Sequence, residues 1–195
     1  MNRRELLRVL GASALLPALP GRSAERLGAA GRRIHAQARS RGLQVLDPHQ
    51  SETVATIAEL IIPTTDTPGA RAAQVHRFID LLLAEWAPDD DRKQFLDGLA
   101  DVDARARTAY GTDFISATAA QREAILTALD ADLRTRQEAK QDTWKLFFQR
   151  MKFLTVYGYC TSEVGATAEL HYEVIPGSYD GCTDLRRMSA GPGDF

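Results

Sequence analysis

Apolar residues recur at helical spacing through the central part of this 195-residue chain. Several segments show apolar side chains that return every three or four residues, which places them on one face of a helix. Strand-type alternation is sustained nowhere, with residues 170–175 as the only partial exception. The pattern therefore predicts an all-α fold: a compact bundle of about five or six helices with an irregular C-terminal tail.

Polar residues and prolines predict where the first helices begin and end. Asp47 followed by Pro48 is typical of an N-cap with proline in the first turn. The proline-containing residues 63–69 predict the turn that ends this helix. A second helix is predicted from Ala72 to Trp86, and its buried face should consist of Val75, Phe78, Ile79, Leu82 and Trp86.

Three further helices follow by the same reasoning. Residues 89–91, all Asp, are expected to cap the third helix, and Thr118 with Gln121 forms a candidate capping box for the fourth. The third face comprises Phe95, Leu99, Val102, Ala106 and Tyr110, and the fourth Ile125, Leu126 and Leu129. The last helix has the most apolar predicted face, made of Trp144, Phe147, Phe148, Met151, Leu154 and Thr155.

Composition and charge exclude one class of partner. The chain is 44% hydrophobic with a formal net charge of −2, so it lacks the overall basic character typical of nucleic-acid binding proteins. Arginines crowd the first 41 residues and acidic residues collect later. This asymmetry is typical of a targeting segment followed by a globular body.

The N-terminus has the layout of an export signal. A basic start precedes an apolar run over residues 9–19 that is too short to cross a bilayer. The start resembles the twin-arginine export pattern, which is carried by Arg3, Arg4, Leu6, Leu7 and Arg8. We therefore divide the chain into a signal segment (1–30), a linker or partner-dependent helix (31–45) and a helical domain (46–195), and we expect a periplasmic protein. The alternative is a cytosolic amphipathic helix that begins with two arginines.

The common catalytic motifs are missing from the sequence. It contains no glycine-rich dinucleotide or phosphate motif, no haem attachment site, no iron–sulfur cysteine set and no nucleophile elbow. Its histidines, at positions 35, 49, 76 and 171, stand at unrelated spacings. His171, near Glu169 and Glu173, is more simply explained as structural. We therefore assign no catalytic, cofactor-binding or metal-binding residues to this chain.

A tyrosine-rich segment near the C-terminus does not continue the helical pattern. Tyrosines outside a core stripe suit a binding surface, because each combines a large apolar area with a polar tip. The alternative is that some of them pack the last helix. Thr161 to Glu163 are also placed to cap a short helix, and Pro176 with Gly177 to form a turn. The predicted partner interface comprises Tyr157, Tyr159, Thr161, Ser162, Glu163, Tyr172, Pro176, Gly177 and Tyr179.

An ordered set of segments resembles the gluconate 2-dehydrogenase subunit 3 family. The resemblance is carried by residues 46–50, 57–70, 75–80 and 148–165, with Glu169–Leu170 and Pro176–Gly177 beyond them. Members are small subunits of flavin-dependent gluconate, glucose and glucoside dehydrogenases. The resemblance implies a non-catalytic subunit needed for export, folding and stability of a large FAD-containing partner of the glucose–methanol–choline oxidoreductase type. Some complexes of this kind add a cytochrome c subunit.

The same resemblance implies that FAD lies in the partner and that membrane contact occurs only through the export signal or the complex. Two other functions stay open at this point. One is an independent periplasmic binding or chaperone-like module for another client, and the other is a small enzyme with a bound redox group. Absorbance in the visible range would identify the small enzyme, and co-purification would identify another client.

The chain has two cysteines, Cys160 and Cys182. In an oxidising periplasm an even count favours one disulfide, which would stabilise the tail by roughly 3 kcal/mol in the chain-entropy model. Two free thiols, or a bridge to the partner, are the alternatives.

Overall fold

The computed structural model describes residues 41–170 together with Ala36, and it contains no strand in this part of the chain. Residues 41–170 form five α-helices and a short π-helix, which confirms the predicted all-α class. They are α1 (Pro48–Ile61), α2 (Val75–Glu85), α3 (Asp89–Tyr110), α4 (Ala119–Glu138), α5 (Phe147–Cys160) and the π-helix Gly165–Glu169. The predicted signal segment, most of the predicted linker and the tail from residue 171 lie outside the described residues.

Two helices begin with the caps that the sequence predicts. Asp47 Oδ1 accepts a hydrogen bond from the Gln50 backbone N–H at 2.7 Å, and Gln50 Oε1 accepts one from the Asp47 N–H at 3.0 Å. Thr118 and Gln121 form the same reciprocal pair at the start of α4. Each capping box satisfies backbone donors that the first helical turn leaves unpaired.

Two predicted helix starts are wrong in detail. α2 begins at Val75 rather than Ala72, because residues 71–74 form turns that end at Gln74 in the left-handed region, with φ of 54°. Residues 89–91 make no capping hydrogen bond, since Pro88 occupies the N-cap of α3. The three aspartates instead lie in the first turn, where their charge still favours the positive end of the helix dipole.

Three predicted core residues, Trp86, Tyr110 and Trp144, are exposed instead. Trp86 is the C-cap of α2, Tyr110 is the last residue of α3, and Trp144 precedes α5. Leu82, also predicted to be in the core, is only half-buried. Trp86, Tyr110 and Trp144 stand at or outside the ends of their helices, so the outermost members of these predicted faces meet solvent.

Helix α5 lies at the centre of the bundle. It packs against α1, α2, α3, α4 and the π-helix. Its approach to α2 depends on Gly158, because a Cβ there would lie 2.9 Å from Phe78 Cδ1 and 3.3 Å from Val75 Cγ1. The side chains that this arrangement buries completely include Val54, Ile57, Val75, Ile79, Phe95, Val102, Phe114 and Met151.

The segment before α1 is fixed to α2 by a buried carboxylate. Asp80 is 3% exposed and accepts backbone N–H hydrogen bonds from Gln44, Val45 and Leu46 at 2.8, 3.0 and 2.8 Å. Arg41 also forms an ion pair with Glu85. The last residues of the predicted 31–45 linker are thus tied to the folded body.

Candidate partner interface

The exposed residues of α5 are all apolar. Although this helix is central, Phe153, Val156 and Tyr157 are each about half exposed, and no other residue of α5 is classed as exposed. Spacings of three and four residues place them on one face of the helix. An apolar helix face that no residue of the described part of the chain covers is typical of a protein interaction site.

The rings on this face are ordered by contact with each other. The Trp144 ring meets the Phe153 ring edge-on at 5.0 Å between centroids, and the Phe153 ring is stacked on the Tyr157 ring at 5.9 Å. Tyr157 in turn contacts the buried Phe78 ring at 5.8 Å. We call Trp144, Phe153, Val156 and Tyr157 the aromatic strip. Mutual packing restricts their rotamers before a partner arrives, which reduces the entropy lost on binding.

The two charged residues of α5 are engaged with neighbouring helices. Arg150 Nη2 lies 2.9 Å from Asp91 Oδ2 on α3, and Lys152 Nζ lies 2.7 Å from Asp130 Oδ1 on α4. The hydrogen bond from Lys152 is the main reason that the pKa of Asp130 lies below its ordinary range, with the charges of Lys152 and Arg134 adding to the effect. The aromatic strip is therefore flanked on its own helix by neutralised charges.

The C-terminal end of α5 is joined to the loop of residues 63–69. The Tyr159 hydroxyl donates to the Pro68 carbonyl at 2.8 Å, and the Thr67 hydroxyl donates to Glu169 Oε2 at 2.8 Å. Ser162 Oγ accepts a hydrogen bond from the Gly165 N–H at 3.0 Å, at the entry to the π-helix, whose N-cap position is Val164. These contacts fix the position of the segment that leaves α5.

The loop of residues 63–69 is itself organised by Glu59. Its carboxylate accepts the Thr64 backbone N–H at 2.9 Å and the Arg71 backbone N–H at 2.8 Å. Burial alone would raise the pKa of Glu59, but these hydrogen bonds outweigh it and the pKa lies below its ordinary value. The Glu59 carboxylate thus stabilises the loop of residues 63–69.

The predicted interface residues divide into three groups. Tyr157 is exposed within the aromatic strip, and Thr161 and Glu163 are also exposed. Tyr159 and Ser162 are 3% and 4% exposed, so they pack inside the chain and follow the alternative interpretation for this segment. The remaining predicted interface residues, Tyr172, Pro176, Gly177 and Tyr179, lie outside the described residues, as do Arg3, Arg4, Leu6, Leu7 and Arg8 of the signal.

Sequence reasoning missed most of the aromatic strip. Trp144 was assigned to the core, and Phe153 and Val156 were not assigned a role. A usable signal existed, because Phe153, Val156 and Tyr157 are out of phase with Met151 and Thr155, which α5 buries. An apolar residue out of phase with the core stripe is a candidate for an external contact.

Cys160 is the last residue of α5 and is half-buried. It follows Val156 by four positions and Tyr157 by three, a spacing that places it beside the aromatic strip on the helix surface. Cys182 lies outside the described residues, and so does the disulfide predicted between the two. The bond therefore stays a prediction.

A shallow groove of about 410 Å³ lies between α3 and α4. Asp101, Arg105, Tyr110 and Ile125 are among the residues that line it. Arg105 Nε donates to Asp101 Oδ2 at 2.7 Å, so the charged side chains of the groove are paired with each other. The residues that line this groove do not form a cluster of unpaired polar groups.

Neither a metal centre nor a membrane span is found in the part of the chain that the structure describes. Within residues 41–170 and Ala36, no three His, Cys, Asp or Glu side chains are grouped closely enough to hold a metal ion. In the same residues, no helix combines the length and the apolar character that crossing a bilayer requires.

Comparison with known proteins assigns the chain to a family. No curated protein and no solved structure gives a significant match. The family model described as gluconate 2-dehydrogenase subunit 3 matches residues 48–177, which is two thirds of the chain and runs from the first residue of α1 to Gly177. The chain therefore belongs to the gluconate 2-dehydrogenase subunit 3 family.

Proposed function

We propose that this chain is the non-catalytic small subunit of a periplasmic FAD-dependent sugar dehydrogenase that acts on gluconate, glucose or a glucoside. Its role is to support the export, folding and stability of a large flavoprotein subunit of the glucose–methanol–choline type, with which it forms a heterodimer. The observation that carries this proposal is the family match over nearly all of the folded body. That family is named as a subunit of a dehydrogenase, so a partner chain is part of its definition.

The use of the buried carboxylates supports an accessory role. Asp80 accepts three backbone hydrogen bonds. Asp103, which is also buried, accepts the Phe114 N–H at 3.0 Å and lies 2.7 Å from His49 Nε2. A general acid or base must be able to reach a substrate proton. Asp80 thus fixes the segment before α1, and Asp103 fixes the loop after α3, which are structural tasks.

The leader supports the export part of the proposal. Arg3 and Arg4 stand in a pattern that resembles the twin-arginine signal. This pathway transports folded proteins, so a small subunit that carries the signal can bring out a partner that has already taken up FAD. In this proposal the flavin and the sugar-binding pocket belong to the large subunit. The small subunit carries the export signal and stabilises the large subunit by contact.

The experiment is purification of the full chain, tagged at its C-terminus, from the native host. We expect a flavoprotein to co-purify, with the flavin absorbance and sugar-dependent dye reduction of the complex found in the periplasm. The Arg3→Lys, Arg4→Lys double variant should leave both chains in the cytoplasm.

Two outcomes would overturn the proposal. Recovery of a different client with no flavoprotein would favour the chaperone-like alternative. Sugar oxidation by the small chain alone would contradict its non-catalytic role. A Lys93→Arg variant, altered only in an exposed ion pair with Asp97, serves as the tagged control for normal export.

A further inference from the structure

We propose that the aromatic strip of Trp144, Phe153, Val156 and Tyr157 is the surface by which this chain binds the flavoprotein subunit. This inference rests on the proposed function and adds the location of the contact. The four residues are the exposed apolar side chains of α5 and its N-terminal approach. Trp and Tyr are among the residue types that contribute most to protein–protein binding energy.

The charges around the aromatic strip decide which kind of surface it fits. Within α5 both cations pair with aspartates of neighbouring helices, and none of the exposed positions of this helix is charged. Along the described chain, the exposed charged residues nearest to the strip are Asp142 and Lys145, on either side of Trp144, and Glu163, beyond Tyr157. A membrane-binding face would need a basic rim facing anionic lipid, whereas two of these three residues are acidic. The surface that best complements the strip is therefore an apolar protein surface.

Position within the bundle supports the same assignment. The aromatic strip continues inward through the contact between Tyr157 and Phe78, and α5 is held at the close approach of Gly158 to Phe78 and Val75. A partner that covers the strip would thus contact Tyr157, which itself packs against the buried Phe78. Binding there would stabilise the bundle through mass action.

The test compares two tryptophans of equal exposure. Trp144 is 51% exposed within the aromatic strip, and Trp86 is 49% exposed at the C-terminal end of α2. The flavoprotein first recovered with the tagged wild-type chain is co-expressed with Trp144→Ser, Phe153→Ser or Trp86→Ser. We expect Trp144→Ser and Phe153→Ser to weaken binding on the order of thirtyfold, the loss typical of a truncated hot-spot aromatic. Trp86→Ser should bind like the wild type, and circular dichroism should show native helix content in all three.

A photo-crosslinker gives a second readout that does not depend on truncation. With p-benzoylphenylalanine at position 153, we expect a covalent adduct to the flavoprotein, and with the same group at position 86 none. Equal retention of the flavoprotein by all three serine variants would overturn this inference and leave the proposed function intact. A crosslink from position 153 to a second copy of this chain, or to its own residues 171–195, would also overturn it. Failure of the wild-type chain to capture any flavoprotein would instead remove the proposed function itself.

Discussion

The carboxylate of Asp80 accepts a hydrogen bond from the backbone N–H of Leu46 at 2.8 Å, although the two residues are 34 positions apart. The same carboxylate takes the N–H groups of Gln44 and Val45, so three consecutive amides converge on one buried anion. Backbone donors that are buried need such partners, because an unpaired one forfeits its hydration without compensation. A side chain of α2 therefore fixes the conformation of the segment that leads into α1.

Replacement of Asp80 by Ala should destabilise the chain strongly. The buried N–H of Leu46 and the partly buried N–H groups of Gln44 and Val45 would lose a charged acceptor, and we expect the free energy of unfolding to fall by about 3 kcal/mol. Urea unfolding measures this, and hydrogen exchange should show loss of protection at residues 44–46. The control is Asp97→Ala, which removes an exposed i,i+4 pair with Lys93 and should change stability by less than about 0.5 kcal/mol. Equal stability of the two variants would contradict the role of Asp80.

Gly165→Ala should disturb the segment that follows α5. A Cβ at this position would overlap the backbone carbonyl of Tyr159, which cannot rotate away as a side chain can. We expect a loss of about 1–3 kcal/mol, the range for overpacking, with faster hydrogen exchange over residues 161–170. Gly42→Ala is the matched control, because nothing lies within 4 Å of a Cβ there. If Gly165→Ala were as stable as Gly42→Ala, the close packing against Tyr159 would be refuted.

The hydroxyl groups of Tyr159 and Tyr157 should differ in their contribution to stability. Tyr159→Phe removes the donor to the Pro68 carbonyl, a hydrogen bond that joins α5 to the loop of residues 63–69. We expect a loss of about 1 kcal/mol in urea unfolding. Tyr157→Phe alters an exposed side chain and should be within about 0.5 kcal/mol of the wild type. A larger loss of stability for Tyr157→Phe than for Tyr159→Phe would contradict the role of the Tyr159 hydroxyl in joining α5 to this loop.

His76 should make the fold less stable as the pH falls. Burial lowers the pKa of His76 below its ordinary value of 6.5, and the positive charges of Arg77 and Arg71 lower it further, against the opposing effect of Glu52 and Asp80. The unfolded chain then binds the proton more readily than the folded one. The stabilisation from neutral His76 is complete above pH 6.5 and is lost as the pH falls from there toward the folded-state pKa.

His76→Gln should remove this dependence. Urea unfolding between about pH 8 and about pH 5 should show the wild-type chain losing stability relative to the variant as the pH decreases. Parallel pH profiles for the two proteins would show that the histidine titrates alike in the folded and unfolded states.

Cys160 and Cys182 are predicted to form a disulfide in the exported protein. Alkylation without reductant, followed by mass spectrometry, should then find no reactive thiol, and Cys182→Ser should lower stability by roughly 3 kcal/mol. Cys160→Ser should have the same effect as the double variant. Two alkylated cysteines in the native protein would rule the bond out.

The sequence by itself determined the helical class, the order of the helices and their best caps. These properties are local: periodicity over a few turns identifies Leu99 and Val102 as core residues, and the side chain of Asp47 or Thr118 needs only a backbone donor three residues away. Family membership was also readable, since it depends on ordered segments rather than on their packing.

The tertiary structure alone decided how those helices are used. Local pattern gives no sign that Asp80 serves amides more than thirty residues upstream, or that Gly165 must admit the Tyr159 carbonyl. The local pattern also predicted that Trp144 is buried, because an apolar residue at helical spacing is expected to lie in the core. Only the packed structure shows that this side chain is exposed. Which face of α5 the other described helices leave uncovered depends on how they pack around it, and that arrangement is a property of the bundle rather than of any single segment.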